Sequence, residues 1–386
     1  MPLDPTQAKY AQLREHLKQE IFMGRMAPGS RVPSENTLAS ELGMSRHTVR
    51  KAISQLVSDG FLFTEQGRGT FVRDRSLRRN ESRNIGVITT YISEYIFPQV
   101  IQGIDRVLSE NGYSIVLKST GNQPEKEAQC LADMLEKQIE GLIIEPTKSA
   151  LHTPNLKLYQ ALEAQGIPYL FIHGHHVQLE DKPEILLNDE EGMHKAVTHL
   201  VELGHRRIAG FFKADDVQGL NRHKGYAHAL ADNGIIYDPE LVVWFHTEDR
   251  ETRAVAALAT MLRGRGRVDA LACYNDQLAA MLVKWLLENG YRVPQDISVT
   301  GFDDSFLAAG GSVTLTSVSH PKERLGETAA QWMLDMLGNG MPLEAERHRV
   351  IEPELIVRAS TGPCPDRNGF PETDQRRGFG GREKGK

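Results

Sequence analysis

From Ile85 to Thr361 the chain repeats one pattern, a short aliphatic run followed by an amphipathic stretch of helical period. The runs IGVIT (85–89), YSIVL (113–117), GLIIE (141–145) and PYLFI (168–172) have the character of buried strands. RIAGFF (207–212), LVVWF (241–245), DALACY (269–274) and ISVTGF (297–302) continue the series. Between them lie helical stretches at 97–111, 124–138, 189–203, 218–233, 250–263 and 275–289. Gly112, Gly204, Gly234 and Gly290 stand where helix C-caps are expected, because glycine enters the left-handed region without a Cβ clash. Parallel strands need a long crossover, usually a helix. Repeated units of this kind therefore imply an α/β fold of parallel sheets covered on both faces. Eight units could close one barrel or form two doubly wound sheets facing each other.

The 386 residues suggest two or three domains. A composition 40% hydrophobic and 25% charged is that of an ordinary globular chain. No run of about 18 apolar residues exists, so no transmembrane helix is expected. The opening MPLDPTQAKYAQLREHL lacks the apolar core of a secretory signal. Cys130, Cys273 and Cys364 are odd in number and scattered, which fits neither a disulfide framework nor zinc spacing. A reducing cytoplasm is the expected location. Residues 1–84 hold 14 Lys and Arg against 9 Asp and Glu, a charge of +5. A net charge of −6 leaves −11 for the rest. A basic head on an acidic body suggests that the head meets any polyanion.

Residues 1–72 follow a different logic. An apolar stripe of Ala11, Leu13, Leu17, Ile21 and Phe22 predicts a helix over 10–23. Ser34 can cap a second helix that ends at Gly43, and Ser45 a third that ends before Gly60. Two short helices joined by so short a turn form a helix-turn-helix. On the third helix Val49, Ala52, Ile53, Leu56 and Val57 lie on one side, and Arg46, His47, Arg50 and Ser54 on the other. The second face suits a DNA groove, since arginine can grip guanine O6 and N7 in a bidentate way. Phe61 to Val72 alternates around Gly67-Arg68-Gly69 and reads as a β-hairpin. Helix, helix-turn-helix and hairpin make a winged helix, with Arg68 at the wing tip for phosphate or the minor groove. Residues 73–84, with five arginines, read as a linker, and residues 362–386 as a disordered tail.

The head resembles the GntR family of winged-helix regulators through PGSRVPSE (28–35), LASELGMSRHTVRKAISQL (38–56) and GFLFTEQGRGTFV (60–72). The resemblance implies that Arg46 and Arg50, after Ser45, read bases. It also implies that His47 and Thr48 support them, and that Gln66, Gly67 and Arg68 form the wing contact. The family usually has Arg after Pro-Ser-Glu, where this chain has Asn36. Residues 85–361 resemble the LacI/GalR repressors and the periplasmic sugar-binding proteins of the same fold. The motifs are HLVELGHRRIAGF (199–211), Arg222 to Tyr226, CYNDQLAA (273–280), GFDDS (301–305), LTSVSHPKERLGETAA (315–330) and EPELIVRAST (352–361). EPTKSALHTPN (145–155) and FKADDVQG (212–219) are similar to the arabinose-responsive repressors that join both families in one chain.

That resemblance implies a two-lobed domain over 85–361 with a sugar between the lobes. Arg222, Asn275 and Asp303 would be the effector contacts, with Asp304 a weaker candidate. Physically, arginine offers a donor fork, a carboxylate accepts and asparagine does both, which suits adjacent sugar hydroxyls. On the other lobe Lys118, Glu145 and His173 follow strands, and Tyr91, Tyr95 or Phe97 could lie flat on a sugar ring. The family often has Asp-Arg where this chain has His173-Gly174. His173, His175 and His176 lack a further ligand at metal spacing, so no metal is expected, and no cofactor fingerprint appears. The expectation is a cytoplasmic homodimeric repressor of sugar-utilisation genes. A sugar, L-arabinose first, would release it from double-stranded operator DNA, without cofactor or membrane. Another pentose or hexose as effector, a carbohydrate-active enzyme and a transport-binding protein are the alternatives.

Overall fold

The structure, a computed structural model, describes residues 8–74, 82–263 and 268–364. The head comprises α1 (Lys9–Phe22), α2 (Glu35–Leu42), α3 (Arg46–Ser58), β1 (Leu62–Glu65) and β2 (Gly69–Val72). Helix starts leave backbone N–H groups unpaired, and two serines satisfy them here. Ser34 Oγ accepts from Thr37 N and Ser45 Oγ from Thr48 N, each at 3.1 Å. Gly43 ends α2 at φ 61°. Val49, Ala52, Ile53 and Leu56 are buried with Leu13, Leu17 and Phe61, while Val57 only flanks that cluster. Glu65 pairs with Gly69, so the hairpin turn is Gln66 to Arg68, one residue earlier than the sequence pattern suggests.

The body is two sheets, which rules out the single barrel. The first comprises β3 (Asn84–Thr89), β4 (Ser114–Ser119), β5 (Gly141–Ile144), β6 (Tyr169–Ile172), β7 (Glu184–Leu187) and β13 (His348–Ile351). Its order is β13-β7-β6-β5-β3-β4, parallel throughout. The second comprises β8 (Ile208–Lys213), β9 (Val242–Phe245), β10 (Ala270–Cys273), β11 (Ser298–Asp303), β12 (Thr316–Ser319) and β14 (Leu355–Ile356). Its order is β14-β12-β11-β10-β8-β9, parallel except for β12 against β14.

The helices of the first lobe are α4 (Phe97–Glu110), α5 (Pro124–Glu136) and α6 (Leu156–Ala164). Those of the second are α7 (Asp189–Glu202), α8 (Val217–Asp232), α9 (Arg250–Arg263), α10 (Asp276–Glu288) and α11 (Phe306–Gly310). The last helix, α12 (Lys322–Asn339), returns to the first lobe, where its Leu325 shares a core with Val100 and Ile104 of α4. The close α4–α12 crossing uses glycine on both sides, since a Cβ on Gly103 would strike Glu323 O and one on Gly326 would strike Val100 O. The chain thus passes between lobes three times, after β7, after β12 and between β13 and β14.

Gly362 N donates to Ser298 Oγ at 3.1 Å and Cys364 N to Leu203 O at 2.8 Å, so the chain still lies on the second lobe at the start of the expected tail. Residues 365–386, and residues 75–81 of the expected linker, lie outside the described residues. No described helix is long and apolar enough to cross a membrane.

Candidate effector cleft and DNA-reading surface

Ligands of open α/β sheets bind beyond the carboxyl ends of strands, where the strand order reverses. In the first sheet that point lies between β3 and β5, and in the second between β8 and β10. Thr90 and Tyr91 follow β3 and Glu145 follows β5. Thr90 N and Thr90 Oγ1 donate to Glu145 Oε2 at 2.8 and 2.6 Å. Asp216 follows β8 and Tyr274 follows β10, and Tyr274 OH donates to Asp216 Oδ2 at 2.7 Å. The two switch points open on one cleft of about 150 Å³. Tyr91, Tyr95, Phe97, Asn122 and Glu145 line it from the first lobe. Lys213, Asp216, Arg222, Thr247, Arg250, Tyr274, Asn275, Gln277 and Asp303 line it from the second.

Arg222, only 2% exposed, organises the second lobe's wall. Its Nε donates to Asp189 Oδ1 at 2.8 Å, Nη1 to Tyr274 O at 2.6 Å and Nη2 to Asp303 Oδ1 at 3.2 Å. The guanidinium stacks 3.6 Å from the Phe302 ring centroid. Three of an arginine's five N–H donors are thereby committed, leaving two for a ligand. Burial pushes Asp189 up to about 6 against the pull of Arg222. Burial also lifts Asp276, at the head of α10, to about 7. Burial alone would push Lys213 down, but Asp216 and Asp215 carry it above the ordinary lysine value, so it stays an ammonium. Asn275 accepts Leu278 N through Oδ1 at 3.0 Å, capping α10. Its Nδ2 makes no hydrogen bond among the described residues and is left for the cleft.

Several bonds cross between the lobes. Tyr95 OH donates to Asp303 Oδ2 at 2.7 Å and accepts from Asp276 N at 3.2 Å. Burial, with Asp303 and Asp276 nearby, holds this phenol protonated well above its usual range. Asn122 Nδ2 donates to Thr247 Oγ1 at 2.7 Å, and Val217 N to Ser149 Oγ at 3.0 Å. A Cβ on Gly174 would fall 2.5 Å from Val217 Cγ1. Any side chain at Gly174 would therefore have to displace Val217 of the second lobe.

The cleft collects Arg222, Asn275, Asp303, Glu145 and Tyr95, but not all the candidates. Lys118 lies on the face of β4 that carries α5, and its Nζ donates to Asp133 Oδ2 at 2.6 Å. Asp304 turns away at φ 41° and pairs with Arg358 at 2.7 Å. His173 sits behind the cleft wall, its Nδ1 3.3 Å from Glu145 Oε1. These three do not line the cleft. Strand alternation, the left-handed turn after β11 and burial behind Glu145 send them elsewhere. The neighbouring histidines diverge to separate carboxylates, His175 to Glu184 and His176 to Glu127. Lys213, Asp216, Asn122, Thr247 and Arg250 escaped the sequence reading. Their available signal was position, since Lys213 ends β8 and the others, Arg250 excepted as the first residue of α9, lie in loops after strands.

On the head, Ser45, Arg46, His47, Arg50, Gln66, Gly67 and Arg68 are exposed and Thr48 is half-buried. Ser45 Oγ and Thr48 Oγ1 lie 2.8 Å apart in the cap. Arg50 pairs with Glu35 at 2.9 Å, tying α3 to α2, and Arg68 pairs with Glu65 at 2.8 Å. Both pairs are solvent-facing and worth little in isolation, so DNA can displace them.

Comparison with known proteins adds ancestry to this geometry. Residues 9–72 match the gntR family of bacterial regulatory proteins, and residues 197–361 match the periplasmic binding protein-like domain. The arabinose metabolism transcriptional repressor of Halalkalibacterium halodurans is 39% identical over 373 residues, covering 94% of this chain and 99% of that one. That of Geobacillus stearothermophilus is 38% identical over 361 residues, covering 93% and 99%. Among solved structures, the regulator CelR in complex with cellobiose superposes with a TM-score of 0.63 at 24% identity, over 85% of this chain and all of that one. A LacI family regulator from Mycobacterium smegmatis gives 0.62 at 26% identity, over 72% and 99%.

Proposed function

The chain belongs to the family of arabinose metabolism transcriptional repressors, and on that premise we propose that it represses sugar-utilisation genes and leaves its operator when L-arabinose fills the cleft. The observation that carries this reading is the convergence of Arg222, Asn275 and Asp303 with Glu145 and Tyr95 at the two facing switch points. The remaining N–H groups of Arg222 and the Asn275 amide donate to hydroxyl oxygens. Asp303, Asp216 and Glu145 accept from hydroxyls, and Tyr91 offers a flat face. A sugar held this way adds polar bridges to those already joining the lobes and favours the closed arrangement.

The head reads DNA through Arg46 and Arg50, with His47, Thr48 and Ser45 beside them and Gln66, Gly67 and Arg68 on the wing. A homodimer places two heads on a pseudo-palindromic operator, as a cytoplasmic regulator that turns nothing over. Sugar that weakens DNA binding must, by linkage, bind more weakly to the DNA complex, by about 5–150-fold in typical systems. A thermal-shift panel of free and phosphorylated monosaccharides tests the effector. Selective binding raises the melting temperature in proportion to RT ln(1 + [L]/Kd). A larger rise with another pentose or a hexose reassigns the effector. A chemically altered sugar recovered from the mixture makes the protein an enzyme.

A further inference from the structure

A second contact region lies away from the cleft, where the head meets the first lobe. Lys18 of α1 is only 6% exposed. Its Nζ donates to Glu136 Oε1, at the last residue of α5, at 2.7 Å. The same ammonium lies 5.1 Å from the Phe61 ring centroid. Withdrawing an ammonium from water is costly unless it is paired, so this burial marks a specific contact. Gly24, just past α1, stands where a Cβ would lie 3.5 Å from Ala164 Cβ at the end of α6. Around them runs a crevice of about 340 Å³ between Ile21, Met26 and Val72 of the head and Ala164 and Ile167 of the lobe.

α5 spans the distance from the cleft to this contact. Asn122, which bonds Thr247 across the cleft, precedes α5 by two residues. Glu127 within α5 accepts from Thr147 N at 3.0 Å, Asn155 Nδ2 at 2.7 Å and Tyr159 OH at 3.1 Å, which fixes α5 to α6. Glu136 then ends the helix against Lys18. We propose that this face of the first lobe is a docking site for the chain's own winged head, and that α5 transmits lobe closure to it. A short tether holds the head near the site at an effective concentration on the order of millimolar, so a small contact suffices. The transmission rests on the sugar-released operator reading above, whereas the docking does not.

Two experiments on the full-length chain separate the two parts. Gly24→Cys/Ala164→Cys should form an intrachain disulfide under mild oxidant, because disulfide Cβ atoms lie about 3.5–4.5 Å apart. Cys130 and Cys273 are buried but Cys364 is partly exposed, so the cross-linking variant and its parent control both carry Cys364→Ser. Because Gly24 sits at φ 68°, the variant is first shown to bind operator as the parent does, and failure of that protein to cross-link overturns the docking. The second readout is the ratio of operator Kd with and without L-arabinose. Glu136→Lys, which leaves the head unaltered, should bring that ratio from the wild-type value toward one, and Lys18→Glu/Glu136→Lys should restore it. An unchanged ratio in Glu136→Lys overturns the transmission by α5. A wild-type ratio of one overturns the repressor reading and the transmission with it, while cross-link yield still decides the docking.

Discussion

Arg222→Ala separates the two tasks that the structure gives this side chain. Arg222 is the cation between Asp189 and Asp303, which are 5% and 3% exposed, and it spends three donors on the protein. Removing one partner of such a buried set costs about 3–5 kcal/mol, because the other charges remain without compensation. Asp189 already stands at about 6 beside Arg222. Without the guanidinium it rises further and takes a proton at neutral pH, which relieves part of the penalty. We therefore expect the low end, about 3 kcal/mol, from urea unfolding followed by tryptophan fluorescence. Arg222→Ala/Asp189→Asn removes one stranded carboxylate and should regain roughly 1–2 kcal/mol, the coupling usual for contacting residues. Calorimetry should show no arabinose binding by either variant. A single variant within about 1 kcal/mol of wild type would refute the buried-network argument. A wild-type titration by the double variant would remove Arg222 from the sugar site.

Arg50→Ala should cut discrimination between operator and random DNA by about 1–3 kcal/mol in anisotropy titrations while leaving arabinose calorimetry unchanged; full discrimination would deny it a base contact. Tyr95→Phe deletes the donor to Asp303 Oδ2 and the acceptor for Asp276 N. Arabinose affinity should fall roughly tenfold, the scale of a hydrogen bond to a charged group, and unaltered affinity would mean that the bridge does not favour the closed form. The pH dependence of stability follows from Asp189. Its folded value of about 6 lies above the ordinary 3.8, so between those values the folded chain holds a proton that the unfolded chain releases. Stability from this group falls as pH rises through that window, by about 3 kcal/mol. Asp189→Asn should remove that slope in unfolding measured from pH 4 to pH 6.5, and an identical slope would contradict the assignment.

Much of this arrangement is legible in the residues themselves. Ser34, Gly43 and Ser45 mark helix ends by local chemistry, and all three act as caps in the structure. Six of the eight aliphatic runs are central strands buried on both faces, so their sequence is nearly all apolar, while β4 and β9 close the sheet edges and are only partly buried. β12 is missed because it is TSVS, whose hydroxyls are buried through partners distant in sequence, such as Thr316 Oγ1 with Thr361 Oγ1 at 2.8 Å. β13 is an edge strand with mostly exposed residues and carries no apolar signature. In the cleft, Arg222, Asn275 and Asp303 follow from motifs and strand ends. Asp189 does not, because its role depends on α7 meeting α8 after a lobe crossing. Lys118 and Asp304 show the limit of strand-end reasoning, which identifies the loop but not the direction of the side chain.

One chain exchanges free energy between operator and sugar, and a displacement titration reads this exchange directly. L-arabinose is added to the repressor on a fluorescent operator duplex while anisotropy is followed. Release should be saturable, with operator affinity lowered by about 5–150-fold at saturating sugar and no release of an Arg222→Ala/Asp189→Asn protein. Anisotropy that stays constant while calorimetry shows the same sugar bound would contradict that exchange.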